Sequence, residues 1–263
     1  KEAHEIPALS LDKTKDPQAL AAFLGTQKGL LSWKLDGLTI VLTYEHGALS
    51  KAVTRGNGEI GEVVTGNAQT FVNLPLRIPY DGKLIIRGEA VIRYSDFERI
   101  NREIPDAEAR YKNPRNLCSG SVRQLDPAVT AGRSVNLVVF SLVSAEGVDF
   151  RNSNEEKFLW LKDLGFDVVP YKLVTGDTVA AAVQEYAHEI EHFDIPSDGL
   201  VLLMDDIAYG ESLGRTAKFP RNAIAFKWQD ETAQTKLIEV EWSPSRTGLI
   251  NPIAVFEPVE LEG

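Results

Sequence analysis

Residues 29–44 have the sequence GLLSWKLDGLTIVLTY, in which the polar insert Lys34-Leu35-Asp36-Gly37 separates two largely apolar runs. Such runs predict a pair of half-buried strands around the insert. The segment Glu45-His46-Gly47-Ala48 predicts the turn to a following strand. Gly37 has no side chain, so a ligand can approach the backbone closely there. The stretch therefore predicts a sheet with a polar site at the insert.

Lys34 is the candidate nucleophile. An ammonium has no lone pair, so an attacking lysine must be partly desolvated or lie near other cations that lower its pKa. A single Lys-x-Asp-Gly match is more typical of a solvated surface lysine beside a turn Asp-Gly. Three further motifs on predicted strands favour chemistry: Arg87-Gly88-Glu89, Asp198-Gly199-Leu200-Val201 and Ala225-Phe226-Lys227-Trp228. Together they favour attack by a lysine amine on a nucleotide phosphate, which gives a covalent lysyl-nucleotide.

Two further side chains are candidates for holding a ligand. Alternation in the predicted strand 83–92 sends Arg87 and Glu89 to the same, mostly apolar face, where charges are unfavourable unless they are paired or hold a ligand. A sugar hydroxyl or a metal ion would satisfy Glu89, and an ion pair with Arg87 is the alternative. Arg55 lies beside turn glycines, where it can reach a phosphate or serve only as a turn residue.

With these motifs in place, the chain resembles the nucleotidyltransferase domain of bacterial NAD⁺-dependent DNA ligases. The resemblance covers nearly the whole chain. It rests on Pro7–Asp12, Lys34–Gly37, Thr54–Gly58, Gly61–Glu62, Thr65–Asn67, Arg87–Glu89, Asn113–Asn116, Gly120–Asp126, Asp198–Val201, Leu213–Thr216, Pro220–Lys227 and Arg246–Gly248. The stretch from Asn113 to Asp126 is peculiar to the NAD⁺ class, so ATP-dependent ligases and capping enzymes are disfavoured.

The resemblance implies a role for each candidate residue. Lys34 attacks the adenylyl phosphorus of NAD⁺ and releases nicotinamide mononucleotide, and Asp36 assists. Among the implied cofactor-binding residues, Arg55 and Glu89 hold the ribose and phosphate region and Lys227 contacts the phosphate. Ser10 and Leu11 lie in the cofactor pocket. Arg115 and Arg123 are the implied DNA-backbone contacts.

The resemblance also implies the later steps and the partners. AMP passes from the lysine to the 5′-phosphate of nicked double-stranded DNA, and the 3′-hydroxyl displaces it, which seals nicks in replication and repair. Mg²⁺ neutralises charge in such transfers, with Asp36 and Glu89 as candidate ligands. A monomer is expected. The part of the family that holds the nicotinamide half of NAD⁺ has no counterpart in these 263 residues, so slow self-adenylation is expected.

Some positions depart from the family pattern. Ser32 stands where the family commonly has Glu, which puts an adenine contact in doubt, and Leu203 stands where it commonly has Lys, which puts a phosphate contact in doubt. Val63 replaces a usual Asp, and residues 185–197 lack an arginine often found before the Asp-Gly motif. The alternative is therefore a ligase-like module that binds nucleotide or DNA without catalysis. The presence of the candidate nucleophile and its implied partners favours activity.

A rival motif is His188-Glu189-Ile190-Glu191-His192, which matches the His-Glu-x-x-His signature of zinc proteases, with Glu211 as a candidate third ligand. On a helix, however, both histidines point away from the apolar stripe that includes Val183 and Tyr186. The pair is therefore expected to face solvent, which disfavours a metalloprotease.

Charge distribution is compatible with DNA binding although the net charge is −10. A polyanion requires a basic surface, and residues 110–123 and 215–227 each contain four basic residues and no acid. Either run can also be an ordinary solvated face. No apolar run approaches a membrane span and residues 1–20 lack the apolar core of a secretory signal, so a cytoplasmic location is expected.

The chain, with 43% hydrophobic residues, can bury a sizeable core. Mixed helices and strands with several hairpins predict an α+β fold on antiparallel sheets. Capping residues predict helices that begin after Asp16, after Ser95 and after either Ser153 or Asn154, and another over Thr178–Phe193. By resemblance, residues 1–229 form the nucleotidyltransferase (adenylation) domain of the ATP-grasp-like ligase fold, and residues 230–263 form the first strands of an OB-fold.

Overall fold

The computed structural model describes residues 1–228 and 234–259. Its strands are β1 (Glu2–Ala3), β2 (Asp12–Thr14), β3 (Gly29–Leu35), β4 (Leu38–Glu45), β5 (Ala48–Thr54), β6 (Ile60–Gly61), β7 (Leu84–Val91), β8 (Asn136–Ala145), β9 (Tyr171–Val174), β10 (Ser197–Met204), β11 (Ala223–Phe226), β12 (Leu237–Pro244) and β13 (Ile250–Phe256).

The helices connect these strands. They are α1 (Pro17–Leu24), α2 (Thr65–Ala68), α3 (Tyr94–Arg102), α4 (Pro114–Val122), α5 (Pro127–Ala131), α6 (Asn154–Asp163), α7 (Val179–Glu189) and α8 (Ile207–Ser212), with 3₁₀ turns at Ala107–Ala109 and Ile190–His192. The predicted α+β class on antiparallel sheets is confirmed, with one parallel pair, β2 and β11.

The first sheet has the strand order β2-β11-β10-β3-β9. Helices α1 and α7 cover one of its faces. Trp33 of β3 packs edge-on against Tyr186 of α7, with ring centroids 4.6 Å apart, and the Tyr186 hydroxyl donates to the Leu31 carbonyl at 2.6 Å. Because side chains alternate along a strand, Ser32 and Lys34 face the opposite side of the sheet. That side is where the candidate nucleophile lies.

The second sheet has the order β5-β4-β7-β8 and is antiparallel throughout. Thr39 of β4 pairs with Glu89 of β7, and Val41 pairs with Arg87. Directly opposed residues share a face, so Arg87 and Glu89 project from one side of this sheet, as the sequence predicted. The chain passes straight from β3 into β4 at Asp36-Gly37, which brings the candidate residues of the two sheets to one region.

Helix caps match the sequence prediction in part. Asp16 caps α1 and Ser153 caps α6 through side-chain hydrogen bonds, as predicted. The start predicted after Ser95 is wrong, since α3 begins at Tyr94 and Ser95 instead bonds Asp194. The predicted helix to Phe193 is also too long, because α7 ends at Glu189 and continues as a 3₁₀ turn.

Residues from Trp228 onward form a separate compact unit from Lys1–Lys227. In it, β12 and β13 pair as an antiparallel hairpin with many exposed apolar side chains, including Trp242 and Phe256. The predicted boundary at residues 229 and 230 lies outside the described residues and stays a prediction. No helix within the described ranges is long and apolar enough to cross a membrane.

Candidate active site

Lys34 lies in a charged cluster on the face of the first sheet opposite helices α1 and α7. It is the one residue of β3 that is not buried, with 29% of its side chain exposed. Its Nζ donates to both carboxylate oxygens of Asp198, at 3.0 and 3.2 Å. Lys227 Nζ, just beyond β11, lies 3.5 Å from the same carboxylate. One carboxylate therefore holds two lysines that come from different strands.

The backbone of β10 explains how Asp198 reaches Lys34. The register between β10 and β3 shifts between Ser197 and Leu200, and such irregularities re-aim side chains. Gly199 has a φ of 149°, and a Cβ there would clash with the Phe226 carbonyl. The Asp198 motif is evident in the sequence, but no role was predicted for its carboxylate. The available signal was an acid directly before a glycine at a strand start.

Asp36 lies beside the same cluster and has an arginine partner. Arg115 Nε is 3.3 Å from Asp36 Oδ1, although 62% of the arginine side chain is exposed. Burial raises the pKa of Asp36, the nearby Asp198 carboxylate raises it further, and Arg115 opposes both. Arg115, which is predicted to contact the DNA backbone, thus contacts Asp36 between β3 and β4 in this structure.

Gly37 was predicted to allow a ligand close to the backbone, and in the structure it allows the close approach of another strand. A Cβ at this position would clash with the Ala90 carbonyl oxygen of β7. The glycine is therefore needed for the close approach of the second sheet. The Gly37 amide also donates to Glu89 Oε2 at 3.0 Å.

Glu89 is buried, with 8% exposure, and is bound by its own sheet and by the loop after β3. Besides the Gly37 amide, the Thr39 hydroxyl donates to Glu89 Oε1 at 2.6 Å. Burial raises the pKa of Glu89 to about 7, against the lowering effect of these two hydrogen bonds. The ion pair with Arg87 that sequence reasoning kept as an alternative is not formed.

Arg87 and Arg55 instead form hydrogen bonds to the N-terminal segment Pro7–Ser10. Arg87 Nη2 donates to the Pro7 carbonyl at 3.0 Å, while its buried Nε has no hydrogen-bond partner. Arg55 Nε donates to the Ala8 carbonyl at 3.0 Å, and Arg55 Nη2 donates to Ser10 Oγ at 2.8 Å. Burial, together with the charge of Arg55, lowers the pKa of Arg87. Two predicted cofactor residues, Arg55 and Ser10, are thereby in contact.

Other predicted residues lie outside this cluster. Arg123 Nε is 3.7 Å from Glu62, and both side chains are about half exposed. Leu11 directly precedes β2, whose Asp12 pairs with Ile224 of β11. Val63, which replaces a usual family Asp, is an exposed residue that bridges to Val53.

The His-Glu-x-x-His motif does not form a metal site. His188 lies on α7 and His192 on the following 3₁₀ turn, and both are exposed. Glu189 instead accepts a hydrogen bond from Lys172 at 2.7 Å. Within residues 1–228 and 234–259, no group of three or more His, Cys, Asp or Glu is arranged to hold a metal ion.

Comparison with known proteins gives a consistent result. The family model described as "NAD-dependent DNA ligase adenylation domain" matches residues 1–231. A DNA ligase of Lachnoclostridium phytofermentans is 65% identical over the whole chain, and one of Ruminiclostridium cellulolyticum is 64% identical. The chain spans 40% of the length of each relative. A solved structure from a study of Lig E DNA ligases shares the fold, with a TM-score of 0.51 and 17% identity over 95% of this chain and 84% of that one.

Proposed function

Because the chain belongs to the NAD-dependent DNA ligase adenylation domain family, we propose that Lys34 accepts AMP from NAD⁺. The amine attacks the adenylyl phosphorus, a phosphoramide bond forms, and the bond to nicotinamide mononucleotide breaks. The observation that carries this proposal is the pair Lys34 and Asp198, in which a partly exposed strand lysine donates to a carboxylate of the neighbouring strand, 164 positions away in sequence. Lys227 shares this carboxylate at the longer distance of 3.5 Å, whereas Lys34 contacts both of its oxygens.

Asp198 and Lys227 have complementary roles in this proposal. An ammonium must lose a proton before it attacks, and Asp198 Oδ1, at 3.0 Å, is the acceptor in contact with it. Lys227 shares the Asp198 carboxylate and would contact the phosphate when the nucleotide is bound. The partly exposed pair of Lys227 and Asp198 can change partners at little free-energy cost, because surface ion pairs contribute about 0–1 kcal/mol to stability.

Glu89, Arg55, Ser10 and Leu11 are proposed to bind the nucleoside. Glu89 is held by Gly37 and Thr39 beside the nucleophile, which supports a role towards the ribose hydroxyls. The contact between Arg55 and Ser10 supports a shared position in the pocket wall. Arg55 has further N–H groups with which to reach a phosphate.

The donor set also fits Mg²⁺. This ion is held by one or two carboxylates together with substrate phosphates, and Asp198 is close enough to Asp36 to raise the pKa of Asp36. Glu89 is a poorer ligand than expected, because both of its oxygens already accept hydrogen bonds in a buried position. When bound, the ion would neutralise charge developing on the phosphate oxygens. Asp36 and Asp198 are therefore the proposed ligands.

The proposal extends to the longer protein of which the relatives are examples. There, AMP would pass to the 5′-phosphate of a DNA nick, with Arg115 and Arg123 on the DNA backbone, in the cytoplasm and as a monomer. Exposure of both arginines supports this role. The β12–β13 hairpin, with its exposed apolar side chains, is proposed to begin an OB-fold barrel.

Intact-protein mass spectrometry tests the proposal. The purified chain is incubated with Mg²⁺ and either NAD⁺ or ATP, for long enough to detect slow turnover. We expect a covalent AMP adduct on Lys34 with NAD⁺ and none with ATP. Absence of any adduct, together with measurable binding of AMP, would favour the non-catalytic binding module that the departures at Ser32 and Leu203 suggest.

A further inference from the structure

Helix α3 is capped by a residue from a distant part of the chain. Its own N-cap residue, Arg93, makes no side-chain capping hydrogen bond. Instead, the Ser95 amide donates to Asp194 Oδ1 at 3.0 Å, and the Ser95 hydroxyl donates to Asp194 Oδ2. The Tyr94 amide donates to the Asp194 carbonyl at 2.9 Å. The first amides of a helix have no partner within it and favour an anion. We call these hydrogen bonds of Asp194 to the start of α3 the Asp194 cap.

The Asp194 cap connects the two sheets of the first unit. Helix α3 follows β7 of the second sheet, whereas Asp194 belongs to the segment that leads into β10 of the first sheet. That segment is also bound to β3 and to the loop after it. The Phe193 ring stacks on Trp33, with centroids 4.5 Å apart, and the Asp36 amide donates to the Pro196 carbonyl at 2.8 Å. The segment before β10 is therefore held from both sheets.

This segment leads directly to Asp198, the carboxylate bound to Lys34. Only residues 195–197 separate the Asp194 cap from Asp198. Pro196, which is buried, has a fixed φ and also restricts the residue before it. Few backbone dihedrals are thus free between the two aspartates, so a movement of Asp194 is transmitted to Asp198.

Asp198 needs such support because it lies in the irregular part of β10. Ser197 pairs with Leu35 of β3, and regular pairing resumes only at Leu200, which pairs with Trp33. Pairing of β10 with β11 also begins at Leu200. Asp198 and the following glycine thus lie opposite the single residue Lys34, which is the arrangement of a β-bulge. The regular ladder on either side does not fix the Asp198 backbone.

We propose that the Asp194 cap holds the Asp198 carboxylate against Lys34, so that Asp194 and Ser95 are positioning residues for nucleotidyl transfer. This inference rests on the proposed function, in which Asp198 accepts the proton of Lys34. The contact between Lys34 and Asp198 is partly exposed, and such ion pairs are too weak to fix a side chain in one orientation. A displacement of about 1 Å in an acid–base group can lower a rate by about 10²-fold.

Single-turnover adenylation of the 263-residue chain with NAD⁺ and Mg²⁺ tests the inference. Asp194→Ala removes both side-chain hydrogen bonds, so we expect a rate about 10- to 100-fold lower, with the dissociation constant of AMP changed by less than about twofold. Asp194→Asn keeps an oxygen for the Ser95 amide, and its own amide can donate to the Ser95 hydroxyl. We therefore expect Asp194→Asn to retain the rate within about threefold.

Two results of this experiment would overturn the inference and leave the proposed function intact. One is an unchanged rate in Asp194→Ala. The other is an equal loss in Asp194→Ala and Asp194→Asn, which would indicate an effect of charge rather than of position. If the unmodified chain itself forms no adduct, the proposed function fails, and the inference fails with it.

A double-mutant cycle separates positioning of Asp198 from a general structural effect. If Asp194 acts through Asp198, Asp194→Ala should lower the rate of the Asp198→Asn variant by less than about threefold. Independent effects would instead multiply, and a full further loss in the double variant contradicts the inference. The matched control is Asp16→Ala, which removes the side-chain cap of α1. This control should lower the urea midpoint, as loss of a cap does, and leave the rate unchanged.

A milder pair of variants decides the inference even where Asp194→Ala does not fold. Ser95→Ala removes only the hydroxyl that donates to Asp194 and leaves the Ser95 amide in place. We expect it to lower the adenylation rate by about threefold or more, and we expect Ser95→Thr, which restores a hydroxyl, to recover most of the loss. Equal rates in Ser95→Ala and the unmodified chain would remove Ser95 from the proposed positioning role.

Discussion

The charged side chains of the two sheets in the first unit differ in their exposure to solvent and in their partners. On the first sheet, Lys34, Asp198 and Lys227 are each about one-third exposed and are bound to one another. On the second sheet, Glu89 is buried and Arg87 lies on the same face, yet the two do not pair and each binds backbone groups. Half-exposed pairs exchange partners easily, whereas buried charges that lose a partner are destabilised by several kcal/mol. In the proposed function, therefore, the attacking lysine and its carboxylate partner belong to the first sheet, whereas the buried Glu89 of the second sheet also affects the stability of the fold.

The largest expected effect follows from replacing the nucleophile on the first sheet. Lys34→Arg keeps the positive charge beside Asp198, but a guanidinium remains protonated and offers no lone pair. We expect covalent adenylation to fall below detection, a loss of at least about 10⁴-fold, with unchanged folding by circular dichroism. Lys227→Arg, which alters the other lysine on the same carboxylate, is the matched control and should retain a measurable adduct. An adenylated Lys34→Arg protein would remove Lys34 from its proposed role.

A smaller loss is expected from the carboxylate that joins the two lysines. Asp198→Asn keeps the size and a hydrogen-bonding oxygen but removes the charge and the proton acceptor. A positioned acid–base group contributes about 10²–10⁴-fold, so the single-turnover rate of adenylation should fall by about 10²-fold or more. Stability should change by less than about 1 kcal/mol, because the side chain is one-third exposed. A large loss of stability would instead indicate that Asp198 mainly stabilises the fold.

Replacing Glu89 on the second sheet should change the stability of the chain and the dependence of that stability on pH. The pKa of Glu89 is raised from 4.5 to about 7, so the stability linked to its protonated form is fully present below pH 4.5 and is lost as pH rises through 7. At about 1.4 kcal/mol per unit, the contribution amounts to about 3 kcal/mol. Glu89→Gln should therefore gain about 3 kcal/mol relative to the unmodified chain between pH 4.5 and pH 8, measured by urea unfolding. A constant difference across this range would contradict the raised pKa.

The smallest effects distinguish two exposed arginines. In a full-length ligase that contains this domain, Arg115→Ala and Arg123→Ala should each weaken nick binding whatever the DNA sequence and lower the salt slope by about one unit. Arg115 also contacts Asp36, so Arg115→Ala should slow adenylation by a few-fold, the size expected for an exposed pair. Arg123→Ala should leave adenylation unchanged, because Arg123 contacts Glu62 instead. Equal loss of adenylation in both variants would place both arginines at the cofactor.

Much of the candidate site could be identified from sequence, because its motifs lie on strands with clear apolar patterns. Lys34, Asp36 and Glu89 are brought to one region, as the order of the motifs suggested. The partners were harder to predict. Glu89 binds Gly37 and Thr39 rather than Arg87, since strand register and the bend at Gly37 decide which donors reach it. The role of Asp198 depends on a local irregularity in β10 that no sequence pattern specified.

The sequence by itself determined the types of the main elements and the α+β class and predicted Lys34 as the nucleophile, because these depend on local patterns and on the chemistry of single residues. Only the tertiary structure decided which charges meet. Lys34 and Asp198 are 164 positions apart, and their contact depends on β3 and β10 becoming neighbours in one sheet. Strand order and register arise from the packing of the whole sheet, so a local pattern cannot specify them.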